Sequence, residues 1–223
     1  MKSSTFNVPK HWTFKNATVA KHFDQHVRES LPWYDLATNA VAHFARHYIP
    51  HNGVVYDIGA STGNIGHAIK ETLVQRQAQF FAIEESPEMA ERYDGPPQLV
   101  VADAVAHEFK PFDFAVCFLV LMFLPVETRM EFLRKLRGLT KPGGALVVVD
   151  KVQMPAGYVG TAFSRLTMQQ KLAVGAKPEE ILRKELSLAG YQRPLDPQTL
   201  PEGALPFFQV GEFVGWILPA AER

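Results

Sequence analysis

Three carboxylates stand where a parallel-sheet protein would use them. Asp57 closes the apolar run VVYDI at 54–58, Glu84 closes FFAIE at 80–84, and Asp103 closes QLVVAD at 98–103. In an open α/β sheet the ligand sits beyond the carboxyl ends of the strands, near the point where strand order reverses. Strand-end acids there can accept hydrogen bonds from an ammonium, from ribose hydroxyls and from an exocyclic amine. Between the first two acids lies Gly59-Ala60-Ser61-Thr62-Gly63. Gly59 and Gly63 let the backbone approach a ligand without a Cβ in the way, and the following helix offers unpaired N–H groups. Ala104, next to Asp103, leaves room beside a flat base.

Two other chemistries compete for the same turn. A dinucleotide site needs G-x-G-x-x-G so that pyrophosphate can lie on the second glycine. Ser61 replaces that glycine here. The substitution favours a nucleoside ligand without pyrophosphate, and S-adenosylmethionine is the cofactor this reading selects. The same five residues also spell the G-x-S-x-G elbow of hydrolases, whose triad runs Ser, then Asp or Glu, then a late His. His67 and His107 are the only histidines after Ser61, and both come early. A hydrolase is therefore disfavoured. The i,i+4 histidine pairs His22/His26 and His43/His47 bring no H-E-x-x-H glutamate or cysteine partner, so no metal site is expected. Cys117 sits in an apolar run and reads as an inert core residue.

The elements that must position these groups follow from periodicity. Residues 18–29 and 32–48 read as amphipathic helices, forming an N-terminal helical cap over 1–50. Strands are expected at 54–58, 80–84, 98–103, 112–121 and 145–151, with helices at 63–76, 86–93 and 126–139 between them. That alternation implies right-handed crossovers and a mostly parallel sheet. A helix at 178–190, a short strand near 191–195 and a last strand at 207–218 complete seven strands. The stretch 153–176 is patterned loosely and is expected to cover the substrate. All 223 residues read as a single α/β domain.

Composition narrows the setting. Lysine plus arginine equals aspartate plus glutamate at 23 each, so no global basic field draws nucleic acid or an anionic membrane. One cysteine rules out an intrachain disulfide and suits a reducing, cytoplasmic compartment. The N-terminus lacks an apolar leader core, and the run FAVCFLVLMFLPV at 114–126 is broken by Pro125 and too short to span a bilayer. Neither a membrane partner nor an Asp/Asn-Pro-Pro-aromatic or Pro-Cys base-methylation motif is expected. A small-molecule substrate is favoured, and RNA and protein acceptors stay open.

With these residues placed, the chain resembles the class I S-adenosylmethionine-dependent methyltransferases over roughly 30–218, and most of all their carboxy-S-adenosylmethionine synthase subfamily. The likeness rests on Trp12-Thr13-Phe14, Ser30-Leu31-Pro32-Trp33-Tyr34, VYDIGAST at 55–62, AIEESPEM at 82–89, FLP at 123–125, LTKPGGALVVVDK at 139–151 and the helix end at 188–191. It implies a Rossmann-like seven-stranded sheet of order 3-2-1-4-5-7-6 with the last strand antiparallel, and a homodimer. It also implies that Gly59, with Asp57, Ala60, Ser61 and Gly63, lies against the cofactor, that Glu84 binds ribose, that Asp103 and Ala104 meet adenine, and that Tyr34 reaches the sulfonium side. Where the subfamily has asparagine in the fourth strand, this chain has Phe118. For the arginine that holds the subfamily's extra carboxylate, Arg165 is the nearest candidate, as a substrate-side residue together with Tyr34. Methyl transfer to a small or medium acceptor is the leading expectation; carboxyl-transfer chemistry and a non-catalytic binding module are the alternatives.

Overall fold

A computed structural model describes residues 8–220. Its element order is α1 (Ala17–Ser30), α2 (Tyr34–Tyr48), β1 (Val54–Ile58), α3 (Asn64–Arg76), β2 (Gln79–Glu84), α4 (Pro87–Ala90), β3 (Leu99–Val101), β4 (Phe112–Phe118), α5 (Val126–Leu139), β5 (Thr140–Lys151), α6 (Tyr158–Ala173), α7 (Pro178–Ser187), β6 (Leu205–Val210) and β7 (Phe213–Pro219). The strands form one sheet of order β3-β2-β1-β4-β5-β7-β6. β1 through β5 pair in parallel, whereas β7 runs antiparallel to both β5 and β6.

The apolar runs are continuous because both faces of the sheet are covered. Val55, Ala82, Phe114, Val116 and Val147 point to one side, against Ala37, Val41 and Ala45 of α2 and Ile65 and Ile69 of α3. Their strand neighbours Tyr56, Ile58, Ile83, Cys117 and Val148 point to the other, against Phe132, Leu133 and Leu136 of α5. The period-2 alternation places Asp57, two residues past Val55, on the α2 face. Asp57 reaches that face at the centre of the sheet, because β1 lies between β2 and β4.

The C-terminal third departs from expectation in two places. No strand forms at 191–195, where Pro194 has no N–H to donate; only Leu195 bridges, to Val152. The apolar stretch 207–218 is instead two strands, folded back at Gly211-Glu212 with Gly211 at φ +57. That hairpin supplies the seventh strand. β4 ends at Phe118 rather than at 121, giving way to a 3-10 turn over Leu121–Phe123. The segment expected to cover the substrate folds largely as α6.

Candidate functional site

The turn after β1 is pinned to β2. Gly59 N–H and Ala60 N–H both donate to the Ile83 carbonyl, at 2.8 and 2.9 Å. Gly59 adopts φ +73, and a Cβ built on it would lie 2.5 Å from Val120 Cγ2. Ser61 is also left-handed, at φ +53, so the position that dinucleotide proteins fill with glycine demands glycine's conformation here too. A serine there costs about 1 kcal/mol of backbone strain.

α1 clamps this turn from outside. Asp24 accepts from Thr62 Oγ1 and Asn64 Nδ2, each at 2.6 Å, and Arg28 Nη2 donates to Asn64 Oδ1 at 3.0 Å. These partners are 36 to 40 residues apart in sequence. Motif spacing gave no sign of them.

A cavity of about 210 Å³ opens beyond the strand ends. Of the residues singled out from sequence, Tyr34, Asp57, Gly59, Ala60, Ser61, Glu84, Asp103, Ala104 and Phe118 line it. Gly63 does not. At φ +101 it caps α3, and a Cβ built on it would lie 2.7 Å from Gly95 N, so its role is to shape the turn. Arg165 is absent from the walls as well. α6 is held through Thr167, packed on Gly211, and through the 2.8 Å Lys171–Glu185 ion pair. This leaves Arg165 exposed, and no residue of 153–176 borders the cavity.

Asp57 is fully buried, and its Oδ2 has no hydrogen-bond partner among the described residues. Burial, reinforced by the nearby Glu84 charge and opposed by the Gly66 N–H, pushes its pKa up to about 7. Glu84 is raised as well, first by burial, against the pull of the Ser86 and Ser61 N–H groups. It accepts from Ser61 N and Ser86 N, both at 2.8 Å, and so ties the glycine turn to the start of α4. Each carboxylate oxygen keeps a further lone pair for a ligand donor. Asp103 is exposed and braces its own loop by accepting from Val105 N at 2.8 Å.

On the α2 side, Tyr34 and Phe118 meet edge to face, with centroids 5.2 Å apart. The Arg28 guanidinium lies 5.3 Å over the far-reaching Tyr34 ring. Burial raises the Tyr34 phenol well above its ordinary range, so it is a hydrogen-bonding group and not a base. Ser61 Oγ is buried without a hydrogen-bond partner among the described residues, hence no base activates it as a nucleophile. Among the described residues no three His, Cys, Asp or Glu side chains come together as a metal cluster.

One supporting network escaped the sequence reading. Asp150, at the end of β5, is fully buried and accepts from Leu121 N at 2.7 Å and Lys151 N at 2.8 Å. Arg129 donates to the Leu124 carbonyl at 3.0 and 2.9 Å. Together they hold 121–124, of which Met122, Phe123 and Leu124 wall the cavity. The signal was present: a carboxylate ending the run VVVD is placed as Asp57 is at the end of β1.

Among the described residues the walls of the cavity carry Asp57, Glu84, Asp103 and Glu85, the last paired with Lys15, and no lysine or arginine. Such a site is built for a cationic ligand. Residues 56–146 match the methyltransferase domain family. The match runs from Tyr56 within β1 to Leu146 within β5, and so contains the glycine turn, Glu84, Asp103 and Phe118. Over 193 residues the chain is 28% identical to the carboxy-S-adenosyl-L-methionine synthase of Staphylococcus epidermidis, covering 84% of each protein. Among solved structures it superposes on the plantazolicin methyltransferase in complex with SAH at 14% identity and a TM-score of 0.61, covering 91% of this chain and 89% of that one. The magnesium protoporphyrin IX methyltransferase from Synechocystis PCC 6803 gives 16%, 0.54, 86% and 84% in the same order. At such identities these two structures show a shared fold with this chain.

The raised Asp57 pKa predicts a pH dependence. A cation favours ionised Asp57, so affinity for a cationic ligand should rise up to about tenfold per pH unit below about pH 7 and level off above it. Asp57→Asn should flatten that rise, as isothermal titration at several pH values would show. The sign reverses for the ligand-free protein. A carboxyl with a raised folded pKa contributes stability below its unfolded value of 3.8, and that contribution is lost as pH rises through about 7. At about pH 8 ligand-free Asp57→Asn should therefore melt above the parent.

Proposed function

We propose that this chain binds S-adenosylmethionine and transfers its methyl group to a small or medium acceptor. The observation that carries the reading is Asp57, buried with Oδ2 unsatisfied among the described residues, beside Glu84 and a glycine turn, in a cavity whose described walls hold four carboxylates and no lysine or arginine. Asp57 and the Gly59–Ser61 backbone would hold the amino-acid end, Glu84 the ribose, and Asp103 with Ala104 the base. Tyr34 and Phe118 would pack around the sulfonium side. The cofactor supplies an electrophilic methyl on a good leaving group, and the protein's task is to align the acceptor and exclude water.

The 28% likeness to a carboxy-S-adenosyl-L-methionine synthase supports a second reading, in which the ligand carries an extra carboxylate. Phe118 stands where that subfamily has an amide, and Arg165 lies on the outer face of α6. A carboxylate enclosed beside Asp57 without a guanidinium would cost several kcal/mol. We therefore expect plain S-adenosylmethionine to bind at least about tenfold more tightly than its carboxylated form, a ratio that isothermal titration measures directly. Tighter binding of the carboxylated form would reverse the assignment.

No helix among the described residues is long and apolar enough to cross a membrane. The single, fully buried Cys117 supports placement in the reducing cytoplasm. Pairing as a homodimer, implied by the subfamily resemblance, would find exposed apolar side chains at Val159 of α6 and at Leu182 and Leu186 of α7.

A further inference from the structure

The cavity has linings of two kinds. One is the set of carboxylates around the glycine turn; the other is aromatic, with Trp12, Phe14, Phe23, Phe123 and Tyr191 all on the walls. Phe14 is the hub of the second. It meets Phe123 edge to face at 4.9 Å, Phe23 at 6.1 Å and Tyr191 at 6.3 Å, and Phe123 lies 5.3 Å from Tyr191. Phe23 also packs against the core cluster that contains Tyr34 and Phe118. The rings therefore run from the Tyr34–Phe118 pair, through Phe23 and Phe14, to Tyr191 at the exposed rim.

This wall is held from two elements. Trp12 N donates to the Ser187 carbonyl at 2.9 Å, and Ser86 Oγ donates to the Phe14 carbonyl at 2.8 Å. A wall already ordered loses little conformational entropy when a ligand binds. Several polar groups beside it are engaged within the protein. Glu85 pairs with Lys15 at 2.5 Å, and His26 Nε2 meets Ser30 Oγ at 3.4 Å. The Lys184 ammonium sits over the Trp12 ring, which the His26 ring also approaches, at 5.4 Å and 31°. What Phe14, Phe23 and Phe123 offer a ligand is ring faces and ring edges. Aromatic pairs attract beyond the area they bury, whereas a saturated molecule of the same outline gains the area alone. An anionic group would be desolvated without compensation, since among the described residues no lysine or arginine lines the cavity.

We infer that the methyl acceptor presents an uncharged, planar aromatic ring system to the Phe14–Phe23–Phe123 wall and is selected there by ring contact. This rests on the reading of the same cavity as a cofactor site, and it narrows the acceptor which that reading leaves open. The carboxylates serve the cofactor; the rings serve the acceptor.

The test uses the full chain saturated with S-adenosylhomocysteine and three probes on one carbon skeleton: 2-naphthol, decahydro-2-naphthol and 2-naphthoate. Isothermal titration should show 2-naphthol binding about tenfold more tightly than its saturated counterpart, the effect of two ring contacts. It should exceed 2-naphthoate by at least about tenfold. Phe123→Leu keeps an apolar side chain and removes a ring, so it should cost 2-naphthol about fivefold and leave decahydro-2-naphthol within about twofold. Retained S-adenosylhomocysteine affinity shows that the variant is folded, and the comparison of the three probes on the parent stands without it. Equal binding of the aromatic and saturated alcohols, naphthoate as tight as naphthol, or a Phe123→Leu loss shared alike by both alcohols would overturn the inference. If S-adenosylhomocysteine binds and 2-naphthol does not, this inference fails alone. If S-adenosylhomocysteine itself does not bind, the cofactor reading fails and takes the inference with it.

Discussion

Glu84→Ala should weaken S-adenosylmethionine binding by about 100-fold, equivalent to about 2.7 kcal/mol. The size follows from what the carboxylate does. It is buried, and it accepts from the N–H groups of Ser61 and Ser86 at 2.8 Å each, so removing it takes away the ribose acceptor and releases the glycine turn at once. Hydrogen bonds to a charged group contribute about 1.5–3 kcal/mol, and a buried donor left unpaired costs about 1–3 kcal/mol. The variant should therefore also lose about 2–4 kcal/mol of stability in urea unfolding. Glu84→Gln should fall between the two, because an amide keeps one acceptor oxygen and turns a donor toward one of the two N–H groups. Unchanged affinity in the alanine variant would remove ribose binding from this position.

Gly59→Ala should abolish detectable cofactor binding and lower stability by about 2–4 kcal/mol through two separable causes. The first is local: φ is +73, and an L-residue there costs about 1–2 kcal/mol. The second is contact: the new Cβ would lie 2.5 Å from Val120 Cγ2. Val120 also lines the cavity, so the clash is transmitted into the wall where the ligand packs. Adding Val120→Ala should recover the contact part and leave the backbone part. Thermal melting of the two variants beside the double variant separates them. A single variant as stable as the parent, with parental affinity, would mean that the turn is not held where the structure has it.

The legible parts of this protein were those set by short-range chemistry. Asp57 and Gly59 lie within three residues of each other, and the strand-turn-helix unit around them positions both without reference to distant sequence. Glu84 and Asp103 were readable for the same reason, each ending an apolar run. The strand order 3-2-1-4-5-7-6 came from the resemblance. The hairpin split at Gly211 was hidden because FFQV and FVGWIL are equally apolar, and a two-residue turn interrupts that pattern by Gly211-Glu212 alone. The clamp of Asp24 and Arg28 on the turn depends on how α1 packs across the sheet, which no local spacing encodes. Its place at a strand end marks Glu84 as a ligand group only; its bonds to Ser61 and Ser86 show that the same side chain also builds the turn. Arg165 was selected for its charge, and packing of Thr167 on Gly211 turned it outward. The aromatic wall drew on residues from 12 to 191, beyond the reach of any motif.

The central claim is that the carboxylates around this cavity bind S-adenosylmethionine. Isothermal titration of the purified full chain with S-adenosylmethionine, repeated with Asp57→Asn, tests it most directly. Saturable one-to-one binding in the micromolar range, about tenfold or more weaker in the variant near pH 7.5, is the predicted result. No binding at about millimolar ligand, or equal affinity in the two proteins, would contradict the account.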